Sequence, residues 1–314
     1  MTQEGDMKGR DVLSIRDLTR QDIDYILAST NRLKDVPEKE GLLAGKVLAM
    51  LFFEPSTRTR ASFTRAALNL GGRVEGFDNP RTTSLEKSES LWDTLKIYDG
   101  YGYDLFVIRH PYKGAARLAS DAVSAPVINA GDGPNQHPTQ TLLDLYTIME
   151  TQGAIDNLRI AMVGDLANGR TVHSLTEALL LYSGCHLYFV SSRDLAMPNH
   201  IVKRCREADN ITVEEAARIE DVIQEVDILY MTRIQKERFT GYETLYEKLK
   251  SIYRLNPDML EGVKPNLRVL HPLPRVDEIA ADVDATPYAY YFPQARNGLY
   301  VRETLLALVT GVFR

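Results

Sequence analysis

Lys46-Val47-Leu48-Ala49-Met50-Leu51-Phe52-Phe53, then Glu54-Pro55, then Ser56-Thr57-Arg58-Thr59-Arg60, passes from an apolar run through a proline turn into a polar, cationic segment. The run has the length and composition of a buried strand. Ser56 is a good N-cap, and Phe63, Ala66, Ala67 and Leu70 follow at helical spacings until Gly71-Gly72 ends the pattern. Similar runs at 104–108, 127–130, 159–163, 186–190, 227–231 and 268–270 read as further buried strands, mostly separated by helical patterns. One of those patterns sets Val172, Leu175, Leu179 and Tyr182 on one face before Gly184. Strands alternating with helices imply an α/β fold of largely parallel sheets flanked by helices. Ligands on such sheets collect beyond the carboxyl ends of the strands, so those loops carry the functional reading.

The whole composition agrees with a compact globular protein. At 314 residues the chain exceeds a single core of roughly 100 to 200 residues, which predicts two domains, with a single barrel as the alternative. A hydrophobic fraction of 44% with 25% charged residues excludes a disordered or fibrous chain. The net charge of -6 argues against nucleic acid as a partner, while leaving room for a local basic pocket. Only Cys185 and Cys205 occur, without metal-ligand spacing, which fits a reducing cytoplasm better than a disulfide scaffold. No apolar stretch approaches the roughly 20 residues of a membrane span. There is no repeat and no Pro/Gly-rich linker, so any domain boundary is expected to be structured.

At the first strand exit, free backbone N–H groups, hydroxyls and the Arg58 guanidinium converge, which is the chemistry of a phosphate cradle. The plainer alternative is a capped helix carrying surface arginines. It is not a Walker loop, because the Gly-rich run ending in Gly-Lys-Ser/Thr is absent. Gly131-Asp132-Gly133-Pro134-Asn135-Gln136-His137-Pro138-Thr139-Gln140 is a turn-rich loop entering an apolar helix with Leu142, Leu143, Leu145, Tyr146 and Ile148. His137 reads as a general base, as a donor to a developing oxyanion, or as a histidine satisfied within its loop. Arg109 follows another strand and is either an anion-binding cation or half of a salt bridge over a helix at 113–122. Arg170, after Gly164-Asp165-Leu166-Ala167-Asn168-Gly169, and Arg233, with Gln235, follow two later strands. Paired guanidiniums suit a dicarboxylic substrate, and the alternative is helix-capping and surface arginines.

Taken in order, these segments resemble the carbamoyltransferase superfamily, whose signatures are the Ser-Thr-Arg-Thr-Arg cradle and the His-Pro-x-Gln helix entry. The match spans nearly the whole chain. His271-Pro272-Leu273-Pro274-Arg275-Val276-Asp277-Glu278-Ile279 and Met231-Thr232-Arg233-Ile234-Gln235-Lys236-Glu237-Arg238 are similar to the branch that uses aspartate. The ornithine branch would show His-Cys-Leu-Pro where Pro272 stands here.

The resemblance implies transfer of the carbamoyl group of carbamoyl phosphate to L-aspartate, giving N-carbamoyl-L-aspartate and phosphate, early in de novo pyrimidine synthesis. It assigns Ser56, Thr57, Arg58 and Thr59 to the phosphate with Arg109 assisting, and Thr59, Arg109 and His137 to the carbonyl oxygen. Gln140 and the backbone carbonyls near Leu273 and Pro274 would hold the carbamoyl amino group, and Arg170, Arg233 and Gln235 the aspartate carboxylates. Thr83-Ser84-Leu85-Glu86-Lys87 resembles a loop that reaches a neighbouring subunit's site, so Ser84 and Lys87 would act in trans on shared sites of a homotrimer. Ser88 stands where many relatives carry Gly.

The family fold implies a carbamoyl phosphate domain at 1–137 with a returning helix at about 295–314, and an aspartate domain at 138–294. Relatives with this His-Pro-Leu-Pro-Arg form assemble with separate zinc-bearing regulatory chains, so such partners and allosteric control are expectations here. No metal or organic cofactor is implied for the chain itself: H-E-x-x-H, clustered Cys/His and G-x-S-x-G are all absent. The rival readings are a carbamoyltransferase acting on ornithine or another amine, and an NADP-dependent oxidoreductase. The second rests on Val163-Gly164 and Ser191-Ser192-Arg193 at Rossmann-like spacing, but lacks G-x-G-x-x-G. A non-catalytic binding protein would need these arginines altered, and they are intact.

Overall fold

The computed structural model describes residues 6–79, 88–234, 246, 247, 250 and 252–314. The chain divides into two compact units, one formed by residues up to Leu143 with Asn297–Arg314, the other by Asp144–Arg296.

In the first unit β1 (Val47–Phe52), β2 (Arg73–Phe77), β3 (Leu105–His110) and β4 (Val127–Asp132) form one sheet in the order β2-β1-β3-β4. Every pairing is parallel. The residues of β1, β3 and β4 are nearly all buried, because helices cover the sheet. α1 (Arg20–Lys34), α2 (Thr57–Asn69), α3 (Leu91–Gly100) and α4 (Ala115–Ala122) belong to this unit. Phe63, Ala66 and Ala67 of α2 are fully buried, and Leu70 caps its end. α1 starts at a capping box between Thr19 and Asp22, and Asp22 is gripped by both terminal nitrogens of Arg10 at 2.6 and 3.1 Å.

The second unit repeats the scheme. β5 (Arg159–Val163), β6 (Cys185–Val190), β7 (Ile211–Ala216), β8 (Ile228–Met231) and β9 (Arg268–Leu270) lie in the order β7-β6-β5-β8-β9, again all parallel. α6 (Arg170–Leu179) and α7 (Asn199–Glu207) connect its strands. Val172, Leu175 and Leu179 bury one face of α6, whereas Tyr182 lies beyond the helix end, although also buried. The chain passes from one unit to the other inside two helices, α5 (Pro138–Gln152) and α8 (Tyr291–Val309). Continuous helix at both crossings explains why the sequence has no linker.

Two strands are absent from the seven apolar runs. β2 and β7 are edge strands, and their residues are largely half-exposed or exposed, as in Arg73-Val74-Glu75-Gly76-Phe77. Unlike the buried edge strands β4 and β9, these two leave most of their surface in solvent and carry charges there, so no continuous apolar run marks them.

Candidate active site

In an open parallel sheet the crevice forms where strand order reverses, here between β1 and β3 in the first unit and between β5 and β8 in the second. The loops that flank those two points carry most of the residues singled out by the sequence. Each unit therefore presents its own set of groups.

Ser56 occupies the N-cap of α2 in extended conformation, yet its side chain makes no capping hydrogen bond. The first N–H groups of the helix are thus not satisfied by their own cap. Thr59 is buried in that first turn, while Arg58 is exposed. Among the described residues Arg58 forms no hydrogen bond and no ion pair, and desolvation alone lowers its pKa from the ordinary arginine value. The second arginine of the motif differs: Arg60 is bound to Asp78 at 2.9 Å.

Arg109 lies inside β3, opposite Phe52 in register. Its guanidinium donates to the Ala130 carbonyl at 3.1 Å and meets Glu54 at 3.1 Å, and its side chain is only 11% exposed. The salt bridge is therefore to the loop after β1 and not over α4, because the strand extends to His110 and holds Arg109 beside β1. His137 is 5% exposed and precedes α5, with its Nδ1 3.5 Å from the Thr139 hydroxyl. The His137 carbonyl accepts the N–H groups of Gln140 and Thr141, which sets Gln140 one turn in.

Asp132 organises this loop. Its carboxylate accepts from the Asn129 and Asn135 side chains and from the backbone N–H groups of Gly114 and Gln136, all within 3.0 Å. Gly133 has φ +57, and a Cβ there would meet the Pro111 carbonyl oxygen at 2.3 Å, so only glycine fits. Asp132 was not singled out by the sequence reading, since a lone Asp in a turn gives no sign of four donors.

In the second unit Gly164 follows β5 with φ +111, and a Cβ on it would come within 2.6 Å of the Thr232 carbonyl oxygen. This close approach ties the ends of β5 and β8 together, reinforced by Thr232 donating to the Val163 carbonyl through N–H and hydroxyl. Arg170 begins α6 after a Gly169 N-cap, and Arg233 follows β8; both are half-buried and partnered. Arg233 lines a cavity of about 200 Å³ with Tyr246, Lys250, Asp277 and Glu278. Lys250 is paired to Asp277 at 2.8 Å.

The loop after β9 is the part that the sequence under-read. His271 and Glu278 are both buried, with Nε2 and Oε1 2.7 Å apart. The Leu273 N–H donates to His271 Nδ1 at 2.8 Å, and Leu273 has φ +56. Among the described residues nothing donates to the carbonyl oxygens of Leu273 or Pro274. Burial works to raise the Glu278 pKa, but hydrogen bonds from His271 and the Val276 N–H outweigh it and hold the carboxyl below its usual value. Tyr230, Asp144 and Gln294 continue the network: Tyr230 and Gln294 donate to Asp144 at 2.8 and 2.6 Å, and Gln294 accepts from the His271 N–H at 2.8 Å.

Ser84, Lys87 and Gln235 lie outside the described residues. Ser88, next to that segment, has φ +66, the left-handed conformation that glycine adopts without strain. Among the described residues no group of three or more His, Cys, Asp and Glu side chains is placed to hold a metal, and no helix is long and apolar enough to cross a membrane.

Residues 10–150 match the family described as aspartate/ornithine carbamoyltransferase, carbamoyl-P binding domain, and residues 156–309 match its Asp/Orn binding domain. The aspartate carbamoyltransferase catalytic subunit of Vibrio campbellii is 54% identical over 302 residues, which cover 95% of this chain and 96% of that one. The catalytic subunit of M. jannaschii aspartate transcarbamoylase superposes with a TM-score of 0.89 at 46% identity, covering 95% of this chain and 97% of that chain. Aspartate transcarbamoylase from Trypanosoma cruzi, solved with carbamoyl phosphate and aspartate, gives a TM-score of 0.89 at 35% identity over 98% of both chains. With the family's two domain models matching residues 10–150 and 156–309, the chain belongs to the aspartate/ornithine carbamoyltransferase family.

Proposed function

We infer that this chain is a carbamoyltransferase that moves the carbamoyl group of carbamoyl phosphate to the amine of L-aspartate, releasing N-carbamoyl-L-aspartate and phosphate. The observation that carries the reading is Arg58, a cation without a partner among the described residues, one residue into a helix whose cap side chain makes no bond. A phosphate supplies what both lack, because charge-assisted bonds from guanidinium and helix N–H groups are strongest to an anion. Ser56, Thr57 and Thr59 add hydroxyls to the same cradle. Arg109, Thr59 and His137 would polarise the carbonyl oxygen, and Gln140 with the Leu273 and Pro274 carbonyls would hold the amino group. Arg170, Arg233 and Gln235 would bind the two aspartate carboxylates.

The chemistry follows from the reactants. The neutral amine attacks the carbonyl carbon, a C–N bond forms, a tetrahedral oxyanion develops, and the C–O bond to phosphate breaks. Positive charge at the oxyanion and at the leaving phosphate lowers the barrier, and no covalent enzyme nucleophile is needed. The departing phosphate takes the amine's proton. Holding two small reactants in line contributes roughly 7 to 11 kcal/mol in favourable cases.

The same reading extends to a cytoplasmic homotrimer with sites shared across subunits, Ser84 and Lys87 coming from the neighbour, and to allosteric control by regulatory chains. Mixing trimers of Lys87→Ala with trimers of Arg58→Ala should regenerate activity after subunit exchange; none recovered despite proven exchange would end the shared-site proposal. A gel-filtration profile that does not move on adding a regulatory chain would count against that partner. The function itself is tested by offering the purified chain carbamoyl phosphate with aspartate and ornithine in parallel. Selective carbamoyl aspartate is the expected product, and carbamoyl ornithine would overturn the substrate.

A further inference from the structure

The loop from His271 to Glu278 closes on itself, and its buried donors and acceptors can be followed one by one. Glu278 takes the His271 ring on one oxygen at 2.7 Å and the backbone N–H groups of Val276 and Asp277 on the other at 3.1 and 3.0 Å. The ionised carboxyl only accepts, so the proton between it and the ring sits on His271 Nε2. Nδ1 is then a bare acceptor, and it receives the Leu273 N–H.

We propose that Glu278 and His271 are positioning residues that hold the Leu273 carbonyl as an acceptor for the carbamoyl amino group, and so set the preference for carbamoyl phosphate over an acyl phosphate lacking N–H; this rests on the function proposed above. Leu273 has φ +56, a left-handed conformation that a residue with a Cβ adopts only when its surroundings impose it. Its N–H is held by Nδ1 of His271 at 2.8 Å. Loss of that acceptor would free the Leu273 peptide and with it the adjoining carbonyl. The loop is also pinned on both flanks, by His271 N–H to Gln294 and by the Arg275 guanidinium to Asp284 and the Tyr291 hydroxyl. The N–H groups of His271, Leu273, Val276 and Asp277 are thus occupied, while the Leu273 and Pro274 carbonyls accept nothing among the described residues.

Glutamine cannot replace Glu278 in this arrangement. With its oxygen toward the backbone N–H groups, its NH2 faces Nε2, drives the ring proton to Nδ1 and sets it against the Leu273 N–H. Flipped, its NH2 opposes two backbone donors. Either way the device loses a bond that the carboxylate satisfied.

The test measures calorimetric affinities of the full chain for carbamoyl phosphate, acetyl phosphate, which carries a methyl in place of the amino group, and inorganic phosphate. In Glu278→Gln and His271→Ala, carbamoyl phosphate should bind about tenfold more weakly, with the other two ligands changed by less than about twofold. His271→Asn, whose amide oxygen can still accept from the Leu273 N–H, should regain most of the loss. The two His271 variants carry the test independently of how well Glu278→Gln folds. A carbamoyl to acetyl ratio equal to that of the unaltered chain, or all three ligands weakening together, would overturn the proposal. An unaltered chain that forms no carbamoyl aspartate and shows no such preference would end the functional reading as well, whereas an active one with unchanged variant ratios would end this proposal alone.

Discussion

His110-Pro111-Tyr112 at the end of β3 and His271-Pro272-Leu273 beyond β9 share one hydrogen bond in the two units, although only Leu273 takes a positive φ. In each the ring Nδ1 accepts the N–H two residues on, at 3.0 and 2.8 Å. They part company at the other nitrogen. His271 Nε2 meets the Glu278 carboxylate, whereas among the described residues no hydrogen bond reaches His110 Nε2, and its ring lies between Phe53 and Tyr112. Burial accordingly pushes the His110 pKa down to about 4, with Asp132 opposing weakly. The contrast extends to what each unit offers. The first unit leaves a donor unspent among the described residues, Arg58, while the loop after β9 ties up the N–H groups of His271, Leu273, Val276 and Asp277 and leaves the Leu273 and Pro274 carbonyls. A histidine-proline turn is a local device, and the company of its outer nitrogen decides whether it is merely packed or can hold a backbone to a task.

The largest expected effect tests the donor side. Arg58→Ala should lower kcat/KM by about a thousandfold or more, on the order of 4 kcal/mol of transition-state stabilisation. Steady-state kinetics within tenfold of the unaltered chain would break the contrast at its strongest point. Arg233→Ala sharpens it from the other unit, which the proposed function equips with cations for carboxylates. The aspartate KM should rise about a hundredfold with kcat moved less, roughly 3 kcal/mol of binding. Equal losses in both parameters with unchanged aspartate binding would remove Arg233 from that role.

Acid should bear on the first of the two turns. His110 is neutral when folded down to about pH 4, while the unfolded chain protonates near 6.5, so between these values the unfolded state binds more protons. Stability associated with His110 is therefore complete above about pH 6.5 and falls as the pH drops toward 4. The unfolding free energy of His110→Asn, from urea titrations, should decline less from pH 7 to 4.5 than that of the unaltered chain, by about 2 kcal/mol. Identical declines would show that the ring is not held neutral. The smallest effect is Arg60→Ala, two residues from Arg58 and already paired with Asp78 at an exposed site. It should cost less than about 1 kcal/mol in stability, with kcat/KM within about threefold. A loss rivalling that of Arg58→Ala would place both arginines on the ligand.

Much of the architecture was legible because it rests on local periodicity. Buried runs such as Val47–Phe52 and Arg159–Val163 announce central strands, and Phe63, Ala66 and Ala67 announce the face of α2. β2 and β7 were not legible, since these two edge strands, unlike β4 and β9, leave most of their residues exposed or half-exposed. Tyr182 followed the helical spacing of α6 but packs beyond its end, because burial continues where helix does not. Of the candidate site, the Ser56 to Arg60 cluster stood out since its chemistry is contiguous. Asp132 and Glu278 did not, because a lone carboxylate acquires meaning only from the donors that the fold brings to it.

By itself, then, the sequence determined the alternation of strand and helix, the cationic helix entry at Arg58 and the resemblance to carbamoyltransferases, all of which depend on residue type at short spacing. Only the tertiary structure decided which arginines are spent. Arg58 and Arg60 are alike as letters, and what separates them is Asp78 folding back to one and no described residue to the other. It also decided that His271 holds Leu273 and not merely its own ring, since a tautomer is chosen by the partner on the far nitrogen, and that partner arrives only when the loop closes.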